Sequence, residues 1–170
     1  MKEILAFYAR CNREINREMT GIIEEAPADA FNAPVDGYFK SAGEILEHIY
    51  VADHHMLLIV KGLKELPVFR DNVFTETIEF NRHYFPSIKE LKTRRFHLDA
   101  LLIKMIDELA DADLSLPLTL TNRKGETEQK PLWRLLVHLF NHQANLRGQV
   151  SQILDQLKIK NDNSGMVRRE

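Results

Sequence analysis

The chain has 170 residues, 44% hydrophobic and 28% charged, enough for one domain with its own core. A formal net charge of −2 supplies no general attraction for nucleic acid or acidic lipid. The single cysteine, Cys11, excludes an intrachain disulfide and reads as a small buried hydrophobe in a reducing, cytoplasmic compartment.

The stretch from Met1 to Arg10 meets charge at once and lacks the apolar core of a signal peptide. The longest apolar run, Met56 to Val60, falls far short of the roughly 20 residues a spanning helix needs. No membrane partner is expected.

The first helical pattern runs from about Lys2 to Glu25. Ile4, Leu5, Tyr8, Cys11, Ile15, Met19, Ile22 and Ile23 recur at spacings of three and four, and Pro27 ends the run. The second begins at Ser41, where Ser41-Ala-Gly-Glu44 has the spacing of a capping box. Ile45, His48, Ile49, Ala52, His55, Met56, Ile59 and Leu63 carry it to about Lys64, and Pro67 stops it. Val68 to Phe85 is rich in aromatics without a clean period, which predicts a loop with a short helical turn and offers a surface for a homodimer. Ser87 to Leu109 is the third helix, with Ile88, Leu91, Phe96, Leu98, Leu102, Met105, Ile106 and Leu109 inward. Alternating Leu and Thr from Leu118, then Lys124-Gly125, predict a small β-hairpin. Pro131 opens the fourth helix, which runs to about Leu157. Four long helices and few strand signals give an all-α class, a four-helix bundle over residues 1–158 with a hairpin-like segment before the last helix. Residues 159–170 form a flexible polar tail.

Seven histidines are candidates for chemistry. His83 and His97 lie among charged neighbours and fit a solvated face. The basic run Lys89, Lys92, Arg94 and Arg95 also reads as a solvated helix face, so no nucleic-acid partner is expected. His48 falls on the apolar face of the second helix, where a buried imidazole needs a hydrogen-bond partner, a water or a metal. His55 lies two turns along roughly the same face, and His54 points elsewhere. His138 and His142 are one turn apart on the fourth helix, so both imidazoles share a side. Three neutral imidazoles, His48, His138 and His142, suit a divalent ion such as zinc or nickel completed by water.

The histidine in Glu44-Ile-Leu-Glu-His48 and the late helix Pro131-Leu-Trp-Arg-Leu-Leu-Val-His-Leu-Phe-Asn-His142, closing on Arg147-Gly148-Gln149, resemble the DinB/YfiT-like family, as does the preceding Gly125-Glu-Thr segment. The resemblance covers most of the chain and is densest from Gly125 to Leu154. It implies a four-helix bundle, often dimeric, with a metal on one histidine of the second helix and an H-x-x-x-H pair on the last. It also implies two known lines of relatives: thiol-dependent S-transferases, and proteins linked by name to DNA-damage induction. His48 and His142 match two of the ligands. The third should immediately precede Arg-Gly-Gln, where this chain has Leu146, and the histidine usual before it is Asn145. Two readings follow. Either the site has decayed into a small-molecule or thiol pocket that binds metal weakly or not at all, which is favoured, or it has shifted one turn to use His138, as a divalent-metal-dependent thiol S-transferase or hydrolase.

Overall fold

The computed structural model describes residues 1–26, 29–80, 82–121, 124–163 and 165–167. Its long elements are α1 (Lys2–Glu25), α2 (Ala42–Leu63), α3 (Ile88–Glu108) and α4 (Leu132–Gln156), with a hairpin of β1 (Pro117–Thr121) and β2 (Thr127–Pro131) before α4. The predicted bundle and hairpin are therefore present. The expected stop at Pro27 lies outside the described residues.

Direction follows from which end of each helix enters which half of the core. One apolar cluster takes Leu5 and Ala9 of α1, Leu57 and Val60 of α2, Leu102 and Met105 of α3, and Leu132 and Leu136 of α4. The other takes Met19 and Ile23, Ile45 and Ile49, Leu91, and Val150 and Leu154. So α1 and α4 run one way and α2 and α3 the other. The α2–α3 connector must then travel the length of the bundle, which explains its 24 residues, 64–87. Its aromatic content is spent largely on the core. Two short 3₁₀ turns, Pro67–Arg70 and Asn72–Thr75, bury Val68, Phe69, Val73 and Phe74. Phe80 is left 45% exposed.

Local chemistry sets the helix ends. Ser41 Oγ accepts from the Glu44 backbone N–H at 3.1 Å, and Glu44 Oε2 accepts from the Lys40 N–H at 2.7 Å, one residue before the serine. Gly43 is buried under the loop before α2: its N–H donates to Phe31 O at 2.8 Å, and a Cβ there would lie 2.8 Å from that same oxygen. In the hairpin, Leu118 pairs with Lys130 and Thr121 with Thr127, and Gly125 turns the chain at φ 81°. Pro131 is not the first helical residue but the extended cap before it, at φ −68° and ψ 146°.

Three sequence expectations need correction. Ile4 and Tyr8 fit the apolar stripe of α1 but are exposed, Ile4 by 61%. They flank the buried stripe at the start of α1, and Tyr8 keeps one face on Phe140 of α4, with ring centres 5.5 Å apart. Arg95 belongs to no solvated basic face: it is 3% exposed and sits in the core. His48 is half-buried rather than fully enclosed, because its helix faces a cavity there. Cys11 is buried as expected, its thiol donating to Met166 O at 3.7 Å. The described part of the segment after α4 also has specific contacts: Asn161 Nδ2 donates to Asp155 Oδ1 at 2.9 Å and Asn163 is buried. Among the described residues no helix is long and apolar enough to cross a membrane.

Candidate functional site

Between the two apolar halves lies a polar layer to which every helix contributes. Asn16 comes from α1, Asp53 from α2, Arg95 and Asp99 from α3, and Gln143 and Arg147 from α4; all are buried. Asp53 Oδ2 accepts from Arg95 Nη1 at 2.7 Å and from Gln143 Nε2 at 2.8 Å. Arg95 Nη2 lies 2.8 Å from Asp99 Oδ1. Asn16 Nδ2 donates to both Asp99 oxygens at 3.1 Å, and Arg147 Nη1 donates to Gln143 Oε1 at 2.8 Å and Asn16 Oδ1 at 3.1 Å. Two arginines thus face two aspartates, the pairing that buried charge requires. Even so, burial outweighs the adjacent Arg95 and pushes the Asp53 carboxyl up to about 7.

The histidines stand beside this layer, facing outward. His48 of α2 and His142 of α4 approach with ring centres 5.3 Å apart. His138 is 6.0 Å from His142 and exposed. Burial lowers the His48 pKa, and burial together with the charges His48 and His138 would carry lowers that of His142. Both shifts favour the neutral ring. His142 Nδ1 is buried and has no hydrogen-bond partner among the described residues.

Two imidazoles on one ion, bonded through nitrogens about 2.0–2.1 Å away, place their ring centres roughly 5 Å apart. His48 and His142 fit that spacing. The remainder of a three-histidine set does not. Leu146, where the family resemblance implies a ligand, is 6% exposed and packed in the core with Val150 and Ile153. Among the described residues no three His, Cys, Asp or Glu side chains converge to hold a metal ion.

His48 forms part of the wall of a cavity of ≈510 Å³, together with Tyr38, Phe39, Glu44, Glu47 and Phe80. That volume lies within the range of small-molecule sites. Phe39 and Phe80 stand 5.2 and 5.6 Å from the His48 ring. The connector is held over the site by α2. His54 Nε2 donates to Val73 O at 2.9 Å, and His55 Nε2 donates to Ile78 O at 2.6 Å while its ring stacks on Phe80 at 4.8 Å. Glu47, 6% exposed, accepts from the backbone N–H groups of Tyr84 and Phe85 and from His83 Nδ1. His83 and His97 are exposed as expected, though each has a carboxylate partner, Glu47 and Asp71.

Sequence reasoning missed Phe39, Phe80 and Glu47: Phe39 reaches the site from the loop before α2, and the roles of Phe80 and Glu47 depend on the path of the connector. It also missed the polar layer. A signal for that was present: Asp53 sits one turn after Ile49, and Arg95 one turn after Leu91, where the apolar period calls for hydrophobes.

The sequence matches the DinB family over residues 1–160. No curated protein matches it significantly. Among solved structures, the fold is similar to that of a DinB-like protein from Bacillus subtilis, YjoA. The TM-score is 0.66 at 14% identity, covering 92% of this chain and 94% of that one. The helix order, the hairpin before α4 and the sequence match agree: the chain belongs to the DinB family.

Proposed function

We propose that this DinB-family chain is a small-molecule-binding protein whose pocket is lined by His48, with His142 against that ring, a thiol being among the ligands it accommodates. The observation that carries the reading is the 5.3 Å approach of the two imidazoles beside the ≈510 Å³ cavity. Leu146 supports it further, since an apolar side chain occupies the place of a third ligand.

A second reading has its own support in the same spacing. Neutral imidazoles that far apart suit a divalent ion, and His138 would then complete the set for metal-dependent thiol transfer or hydrolysis. Metal analysis separates the two. Untagged protein incubated with zinc or nickel and then desalted is expected to retain less than about a tenth of an equivalent, because two ligands hold an ion poorly. Stoichiometric metal that is lost in His142→Ala and His138→Ala would replace the first reading by the second.

A further inference from the structure

The cavity beside His48 has walls of a particular kind. Three aromatic rings gather there: Tyr38 and Phe39, with centres 5.0 Å apart, and Phe80 across the His48 ring. Tyr38 is 86% and Phe80 45% exposed. Large aromatics left open at the mouth of one cavity are costly unless something covers them. Two carboxylates, Glu44 and Glu47, line the same space.

The cations that share the wall are engaged elsewhere: His83 pairs with Glu47 at 3.1 Å, and the Arg82 guanidinium lies over the Tyr84 ring at 5.6 Å. Among the described residues no cation pairs with Glu44. Aromatic faces carry negative quadrupole potential, so rings and carboxylates favour the same sign of guest.

We infer that the pocket takes an organic ammonium ion, its alkyl groups against Tyr38, Phe39 and Phe80 and its charge toward Glu44. The inference rests on the small-molecule reading above and narrows its ligand class. Quaternary or alkylated ammonium groups fit best, because they spread charge over an apolar surface and are weakly hydrated.

Benzyltrimethylammonium, benzyl alcohol and benzoate, similar in size but cationic, neutral and anionic, form the test. Each is titrated into the full chain while the ring signals of His48 and His142 are followed by NMR. The cation is expected to move both sets, with an affinity that falls as salt rises. Phe80→Ala should weaken it about two- to fivefold, the range of an exposed cation–π contact. Glu44→Gln should weaken it while keeping an acceptor for the Lys40 N–H at the start of α2, an unchanged helical circular dichroism spectrum separating the lost charge from a lost cap. If benzoate or benzyl alcohol moves the histidine signals as strongly as the cation, the ammonium class is overturned and the pocket stands. If none of the three moves them at millimolar concentration, the ammonium class and the pocket fall together. A cation that binds equally well to Phe80→Ala also overturns the inference.

Discussion

His48 and His142 face each other from antiparallel helices with ring centres 5.3 Å apart. Burial is the largest cause of both lowered pKa values. Each ring should titrate below the ordinary 6.5. His138→Ala should raise the His142 value, since a like charge that His142 must oppose is removed. The sign for stability follows. The unfolded state binds protons first, so this contribution is full above pH 6.5 and is lost as pH falls through the window beneath it. Histidine ring chemical shifts between pH 4.5 and 8 check both statements.

Asp53 has the opposite sign. Its carboxyl rises from 3.8 to about 7 on folding, so the native state holds a proton that the unfolded chain gives up. Its contribution is greatest below pH 3.8 and is lost as pH rises to about 7. The slope in that window reaches at most about 1.4 kcal/mol per pH unit. Urea unfolding of the parent and of Asp53→Asn at pH 5, 6 and 7.5 isolates the effect. The stability difference between them should shift in favour of the asparagine as pH rises; parallel profiles would show that Arg95 and Arg147 hold Asp53 ionised throughout.

Leu146→His should restore what the family resemblance expects before Arg147. The new imidazole would stand one turn after His142, on the same face. Losing the buried leucine costs about 1.5–3 kcal/mol, visible as a lower urea midpoint. Zinc or nickel should then recover part of that loss, by an amount that grows with metal concentration. A variant that is destabilised and indifferent to metal would mean that α4 presents position 146 only to the core.

Two glycines on helices separate steric from conformational effects. At Gly43 a Cβ would lie 2.8 Å from Phe31 O and 2.9 Å from Phe31 Cε1, so Gly43→Ala should destabilise by about 1–3 kcal/mol. At Gly21, inside α1, a Cβ meets nothing within 4 Å. Gly21→Ala should stabilise by about 0.5–1 kcal/mol through helix propensity. Thermal unfolding of both variants in one buffer decides it.

Much of this fold was legible in the sequence because period and punctuation agree. Ser41 with Glu44, Pro67, Gly125 and Pro131 each mark a boundary to within a residue or so. The site was only half legible. His48 and His142 could be paired through family resemblance. The walls could not, because Phe39 and Phe80 reach His48 from loops that carry no period. Arg95 was misread for a different reason. Its neighbours Lys92 and Arg94 are charged, and only its ion pairs with Asp53 and Asp99, from residues 42 and 4 positions away, make its burial tolerable.

The polar layer has a further consequence for how the bundle tolerates change. Apolar side chains pack in many combinations, and a helix held only by them can slide by a turn at little cost. A slide of α4 within the bundle would part Gln143 from Asp53 and Arg147 from Asn16, leaving buried polar groups unpaired at about 1–3 kcal/mol each. His142 immediately precedes Gln143 on the same helix and moves with it. The polar layer therefore acts as a ruler: the Gln143–Asp53 bond sets the register of α4 against α2 and with it the distance between the two imidazoles, while Tyr38, Phe39 and Phe80 stand outside it, so ligand preference can drift without disturbing the pair.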